Sequence, residues 1–350
     1  MTTNRHLQLP EGVERAYLEH SRRHRRLLAK IHAAYELAGY LPIDTPILDY
    51  LDSYSHLLTP EHIRRAYTLV GRDGDLLLLR PDITLFLAKQ LAGTLGSVDL
   101  PARVCYSDFI VRPVDAEEIS TKEFFQTGVE LVGKPSVGGD LEALSLLIEV
   151  LEAAGLKDYA LHIGSRAVFD ALVPPEQRAE LSKAVHDRRF CQAGSPDGGA
   201  PRLLSLLTEA PKGEAAVREL TRATTVPAAA IEEALSVAET ARRIASVFPS
   251  TDVRLDLSEI GGQSYYTGIV FLVFAPGIGS PVASGGRYDG LLASFGFPAE
   301  SVGFSVMLRR IEHGTEVEGE VGPQQVAAPD FETAYAGASA LRRRGKAATL

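Results

Sequence analysis

The residues best suited to chemistry in this sequence are a few acids, amides and phenols set among apolar neighbours. "EFFQTGVELVG" puts Gln126, Gly128 and Glu130 at alternate positions. On a strand all three point one way, with Phe125, Thr127 and Val129 opposite. Glu130, between Val129 and Leu131, is a candidate buried carboxylate, which is costly unless a cation pairs with it. "LRPDIT" supplies Arg80, Asp82 and Thr84, Arg112 stands just before an acidic loop, and "EIGGQSYYTGIVF" supplies Tyr265 and Tyr266. Buried hydroxyls need partners, so these phenols must meet each other, water or a ligand. Brought together, Asp82, Gln126, Glu130 and the tyrosines suit a small zwitterion, with carboxylates for an ammonium and amide and phenols for neutral polar groups. Taken singly, each has an ordinary alternative. Glu130 can pair with a protein arginine, the tyrosines can be satisfied core residues, and Asp82 and Thr84 precede a helix that they can cap.

The elements that must hold these residues are legible as patterns. Residues 13–39 read as a long helix closed by Gly39, with "RRHRR" as a solvated basic face. "YLPIDTPILDYLDSY" reads as an extended edge or interface strand, marked by Pro42 and Pro46. "DLLLLRPDITLFLAKQLAG" is a strand, a polar turn at Arg80–Thr84 and a helix. Two strands flank the loop "PVDAEEIS", then "DLEALSLLIEVLEAAGL" is an amphipathic helix and "YALHIGS" a strand. Residues 171–248 are almost wholly helical in pattern and read as an insertion between strands of one sheet. Strands return at "VRLDLSEI". In the tyrosine stretch, Tyr265, Thr267, Ile269 and Phe271 alternate with Tyr266, Gly268, Val270 and Leu272 as on a strand. "PVASGG", a helix from about Asp289 and "SVGFSVMLRRI" follow. The expectation is an α+β fold, an antiparallel sheet flanked by helices with a helical insertion. Its main domain spans 1–323, and 324–350 form a short strand–helix–strand remnant.

Composition narrows the function. Of 350 residues 45% are hydrophobic and 23% charged, and the formal net charge of −9 argues against a large nucleic-acid footprint. Cys105 and Cys191 form no CxxC or Cys/His spacing, which suits a reduced compartment and no structural zinc. The histidines form no HExxH, and His20 with His24 sits on the basic helix, so no metal and no cofactor is expected. The start of the chain has no apolar signal region and no run reaches transmembrane length, so the reading is cytoplasmic with no membrane partner.

"LRPDIT", "EFFQTGVELVG", "YYTGIVF", "SGGRYDGLL" and "VGFSVMLRRI", in this order, resemble the catalytic domain of histidyl-tRNA synthetase, a class II synthetase. The resemblance covers most of residues 10–165 and 252–312. The departures from it are informative. The synthetase carries an arginine, acting on the histidine carboxylate and the α-phosphate, where this chain has Gly261. Its usually basic motif 2 loop is here acidic, with Asp115, Glu117 and Glu118, which would repel phosphates. Its third motif, glycine–leucine–glutamate–arginine, is here Met307, Leu308, Arg309 and Arg310. Residues 324–350 are too few for its anticodon-binding domain.

That combination is similar to the ATP phosphoribosyltransferase regulatory subunit family, above all in "SYYTGIVF…APGIGSPVASGGRYDGLL". The resemblance implies no catalysis by this chain and no catalytic residues. It implies free histidine as ligand, bound among Asp82, Thr84, Arg112, Gln126, Glu130, Tyr265 and Tyr266. Glu130 and Gln126 would face the α-amino group, Arg112 the imidazole or carboxylate, and a tyrosine the ring. It also implies a homodimer, formed through "YLPIDTPILDY", within a hetero-oligomer with the short-form catalytic subunit. The competing reading is a histidyl-tRNA synthetase, or another synthetase paralogue that activates an amino acid.

Overall fold

The computed structural model describes residues 9, 13, 18–58, 60–112, 122–186, 217–218, 221–222, 226–314, 324–326 and 330–349. The chain divides into two compact units, residues 1–315 and 316–350, where the sequence put the junction at 323. Residues 315–323, like the acidic loop at 113–121 and most of 187–225, lie outside the described residues.

The first unit is built on two ten-residue strands, β5 (Ala102–Val111) and β6 (Glu123–Val132). They pair antiparallel, with Val104 opposite Glu130 and Asp108 opposite Gln126. The next strands outward from β6 are β11 (Ser301–Met307), β10 (Ala283–Arg287), β9 (Ile269–Phe274), β7 (Ala160–Ser165) and β8 (Asp252–Leu255). β1 (Leu41–Pro42) borders β5 and closes an eight-stranded sheet in the order β1-β5-β6-β11-β10-β9-β7-β8.

The sheet is mixed rather than wholly antiparallel, because both edge pairs, β1 with β5 and β7 with β8, run parallel. The β7–β8 pair has a covalent cause. Parallel neighbours need a long crossover, and the helical block supplies it. α5 (Arg166–Leu172), α6 (Arg178–His186) and α7 (Ala228–Val247) lie between those strands in the chain. Ala230, Ala234, Val237, Ala241 and Ile244 form the buried stripe of α7 at helical spacing. The block therefore completes the main core.

Alternation along the strands sorts the side chains onto two faces. Val129, Leu131, Phe271, Val273, Phe304 and Val306 join one cluster with α1 (Leu18–Leu37), α4 (Ser136–Ala154) and α7. Tyr106, Ile110, Val132 and Val270 join the other, with α3 (Ile83–Thr94) and α8 (Asp289–Ala293). The helix read from residue 13 is described from Leu18. It ends as expected, with Gly39 at φ 80° and Tyr40 N–H donating to Tyr35 O at 2.9 Å.

The extended segment after α1 divides. Leu41 and Pro42 join the large sheet, whereas β2 (Leu48–Tyr50) joins β4 (Leu76–Leu79) and β3 (Thr68–Val70), beside α2 (Pro60–Arg65), in a separate three-stranded sheet. Arg80 ties the two sheets together. It is fully buried, and its guanidinium donates to Thr45 O (2.7 Å), Thr45 Oγ1 (2.9 Å), Pro46 O (3.1 Å) and Phe109 O (2.6 Å), beside Asp108 at 2.7 Å. Arg80 is thus a structural clamp, its guanidinium taken up by backbone carbonyls of both sheets' flanks.

In the second unit, β12 (Gln324–Gln325) and β13 (Ala348–Thr349) pair in parallel around α9 (Phe331–Arg343), whose cap Asp330 accepts from Thr333 N–H at 2.7 Å. Among the described residues, no helix is long and apolar enough to cross a membrane.

The Arg80 clamp predicts a stability defect. Arg80→Met should lower the unfolding free energy by about 3–5 kcal/mol, because each orphaned buried carbonyl costs ~1–3 kcal/mol. Urea unfolding checks this. A change below about 1 kcal/mol would mean that water replaces the guanidinium at no cost.

Candidate functional site

Asp82, Thr84, Arg112, Gln126, Glu130, Tyr265 and Tyr266 line one cavity. It lies on the sheet face opposite α1 and α4, and its floor is set by register. Glu130 sits opposite Gly303, and Gln126 opposite Met307. A Cβ at Gly303 would collide with Glu130 Oε2, so only glycine leaves that carboxylate its place. Gly128, between Gln126 and Glu130, likewise leaves room for the Tyr106 ring.

The turn before α3 supplies the wall. Asp82 caps the helix, its Oδ1 accepting from Leu85 N–H at 2.9 Å. Thr84 makes no cap. Its hydroxyl donates to Glu130 Oε1 at 2.6 Å. Arg112 closes the same corner, donating through Nε to Pro81 O (2.7 Å) and through Nη2 to Asp82 Oδ2 (3.2 Å).

Tyr265 and Tyr266 depart from the alternation read in the sequence. β9 starts only at Ile269, since residues 261–268 form a loop in which Thr267 N–H donates to Arg287 O at 2.8 Å. Both rings therefore reach one cavity, with centroids 5.3 Å apart, where a strand would have sent them to opposite faces. The Tyr265 hydroxyl stands 3.5 Å from Asp82 Oδ2.

Sequence reasoning missed Tyr288, whose hydroxyl donates to Glu130 Oε2. Its signal lay inside "SGGRYDGLL", but it follows the end of β10, where alternation no longer says where a side chain goes. Its neighbour Arg287 fixes it from behind, bonded to Asp140 Oδ1 (2.7 Å), Ser136 O (3.0 Å) and Asp289 Oδ1 (3.0 Å). Gln263, Ser284 and Ser305 also line the cavity without having been singled out.

Glu130 is the electrostatic centre. It is 2% exposed and, among the described residues, no arginine or lysine pairs with it. Burial pushes its carboxyl up to about 8, Asp82 adds to the rise, and the Thr84 and Tyr288 hydroxyls oppose it. Burial also raises the Tyr265 and Tyr288 phenols well above their ordinary value, so both remain neutral donors. The cavity thus holds two carboxyl groups and one guanidinium already engaged with one of them. That arrangement attracts a cationic or N–H-rich ligand more than an anion.

Gly261 sits at φ 74°, and a Cβ there would lie 2.6 Å from the Tyr266 ring. The backbone and the tyrosine both exclude a side chain at this position. Met307 turns its sulfur to Gln126 Nε2 at 3.7 Å, and Arg310 donates to Pro281 O at 2.7 Å.

Known proteins align with this geometry. A family profile of histidyl-tRNA synthetase matches residues 12–311. An ATP phosphoribosyltransferase regulatory subunit of Moorella thermoacetica is 32% identical, over 100% of this chain and 93% of its own length. Another, of Anaeromyxobacter dehalogenans, is 36% identical over 86% of this chain and 89% of its own. Among solved structures, an ATP phosphoribosyltransferase regulatory subunit/histidyl-tRNA synthetase from Bacillus halodurans superposes with a TM-score of 0.83 at 28% identity. It covers 98% of this chain and 92% of its own.

The raised Glu130 carboxyl gives a pH prediction. A group whose pKa is higher in the folded chain stabilises fully below its unfolded value, here 4.5, and loses that contribution as pH rises through about 8. The ligand-free chain should lose stability across that window, and Asp140, raised to about 6 mainly by burial, adds to the acid part. Glu130→Gln removes the titration, so its urea midpoint should fall less between pH 5 and 8 than the wild type's, as ~pKa differences dictate. Equal slopes would show that Glu130 is already ionised at the acid end.

Proposed function

The chain belongs to the histidyl-tRNA synthetase family and, within it, to the ATP phosphoribosyltransferase regulatory subunits. From that premise we propose that it binds free histidine without activating it and reports histidine to a catalytic partner. The observation that carries this reading is the contrast inside one site. The cradle around Glu130 is complete, whereas the position of the synthetase arginine is a glycine that backbone and Tyr266 keep bare.

Depth orients the ligand. Glu130 is sealed under Thr84 and Tyr288, while the side chains of Asp82 and Arg112 are 15% and 34% exposed. A zwitterionic α-carbon keeps its two charges nearer water, so the imidazole N–H reaches Glu130. The ammonium stays by Asp82, and the carboxylate lies beside Arg112. This differs from the orientation that the resemblance implies, in which Glu130 faces the α-amino group. It spares the fold a fully buried ammonium, whose desolvation costs more than that of a neutral ring.

Adenylate formation needs positive charge at the developing anion and room for a nucleotide. Gly261 supplies no charge, Met307 fills space beside Gln126, and Arg310 is engaged with Pro281. In this reading the chain has no activity of its own. It works in the cytoplasm with a short-form ATP phosphoribosyltransferase catalytic subunit and without nucleic acid.

The small sheet supports the proposed homodimer. Register puts Leu48, Tyr50 and Leu69 on one face, and they are 37%, 54% and 50% exposed. Such a contiguous apolar face suits a two-fold contact.

Three measurements test the proposal. Calorimetry should show that Glu130→Ala weakens histidine binding by about 1–3 kcal/mol, the cost of a lost buried hydrogen bond, and unchanged affinity would place the ligand elsewhere. The chain should support no histidine-dependent exchange of pyrophosphate into ATP. Measurable exchange would favour the synthetase reading. Mixed with the catalytic subunit of the same source, it should co-elute, raise phosphoribosyl transfer and make it histidine-sensitive, through a coupling of about 1–3 kcal/mol. No co-elution and no change in rate would refute the assignment.

A further inference from the structure

A second polar cluster lies on the same sheet face as the cavity, toward the other edge. His162 on β7 pairs across the sheet with Leu272, which pairs with Ser284 of the cavity wall. Asp256 directly follows β8, and Glu259 lies one turn later. All three are buried, and each can bring one donor atom to within 4.8 Å of the other two. His162 is 8% exposed, and its Nδ1 is buried with no hydrogen-bond partner. Asp256 Oδ2 stands 3.7 Å from it, beyond hydrogen-bond range.

The surroundings hold this arrangement firmly. Asp256 N–H donates to Ile163 O at 2.8 Å, Glu259 N–H to Asp256 O at 2.9 Å, and Ser258 Oγ to Asp256 Oδ1 at 2.5 Å. The resulting tight turn folds Glu259 back over β7. Gly164 makes that approach possible, because a Cβ there would collide with Glu259 O. Phe274 packs edge-on against the His162 ring at 5.1 Å and closes one side.

We propose that His162, Asp256 and Glu259 form a binding site for one divalent cation of the zinc class. Two ligands of one tetrahedral ion, each at ~2.0–2.1 Å, stand about 3.3–3.4 Å apart. The 3.7 Å gap between His162 Nδ1 and Asp256 Oδ2 needs only a few tenths of an ångström of closure to reach that separation. The donor set is selective. An imidazole with two carboxylates suits zinc-class ions, whereas magnesium and calcium prefer oxygen ligands alone. Histidine spacing along the chain hid the site, since its donors come from strands that only the helical crossover brings together.

The ion would have a consequence for the cavity. The turn at 256–259 runs directly into Gly261 and the loop that carries Tyr265 and Tyr266. Pinning Glu259 to His162 holds the start of that wall, so metal occupancy stiffens the ligand site without touching the ligand.

The test uses the full chain, stripped with a chelator and titrated with zinc chloride, with magnesium chloride as comparison. One zinc ion per chain should bind, raise the melting temperature and resist millimolar magnesium. Cobalt(II) should give the visible absorption of a low-coordinate complex. His162→Ala and Glu259→Gln should each weaken zinc binding by at least about tenfold, while His20→Ala on the exposed basic helix should leave it unchanged. Circular dichroism shows whether each variant folds, and the wild-type stoichiometry stands whatever the variants do. Absence of stoichiometric zinc binding by the wild type would overturn the proposal. So would equal affinity in folded His162→Ala and Glu259→Gln, which would assign the zinc to histidines elsewhere on the surface.

Discussion

A carboxyl group buried with hydroxyl partners alone, Glu130, sets the terms for the rest of this structure. A cation beside it would neutralise it and leave nothing for a ligand to do. Full ionisation without a partner would cost several kcal/mol. The fold settles between these limits with two short hydroxyl contacts and a carboxyl raised to about 8. Those hydroxyls come from opposite sides, Thr84 from the first turn of α3 and Tyr288 from the end of β10. Each is placed by a buried ion pair or cap behind it. Asp82 caps α3 and meets Arg112, while Arg287 meets Asp140 on α4. The charged pairs are therefore structural supports, and the group at their centre is left unpaired.

This division of labour explains which residues could be read from the sequence. Gln126 and Glu130 were legible because β6 is regular and ten residues long, so alternation holds along it. Asp82 and Thr84 were legible as a cluster, but their roles separate only in space, where one caps the helix and the other turns to Glu130. Tyr265 and Tyr266 stood out as phenols in need of partners, but the strand alternation read there put them on opposite faces, whereas a loop brings both to one cavity. Tyr288 was missed because it follows a strand end. Arg80 looked like part of the site by sequence proximity, yet its fork matches the carbonyls of Thr45, Pro46 and Phe109. Composition and pattern gave the class of fold. The two parallel edges depend on crossover connections, and local periodicity carries no record of strand partners.

Gly261 shows why one substitution would not place an arginine in this corner of the site. A positive φ of 74° disfavours any L side chain, and the Tyr266 ring occupies the space that a Cβ would need. The loop conformation and the tyrosine together leave no room for a side chain. An arginine restored there meets strain and a clash before it can offer charge. The same holds at Met307, whose sulfur has become a neighbour of the amide that lines the cavity.

What remains is how an occupied cavity could be felt elsewhere. A ligand shifts an equilibrium only through differential affinity for two states. In the proposed reading the Glu130 carboxyl would accept from a ligand N–H, and that change would pass to the Thr84 and Tyr288 hydroxyls bonded to it. Thr84 belongs to α3, which packs against α8 directly after Tyr288. One bound molecule would therefore draw together two elements that approach Glu130 from opposite sides. The small sheet is joined to the same region by Lys89 on α3, whose ammonium lies 2.7 Å from Asp49 on β2. A closing motion of α3 on the ligand would thus be felt by the apolar face of Leu48, Tyr50 and Leu69. In the proposed reading, that is where a change of assembly has to be registered.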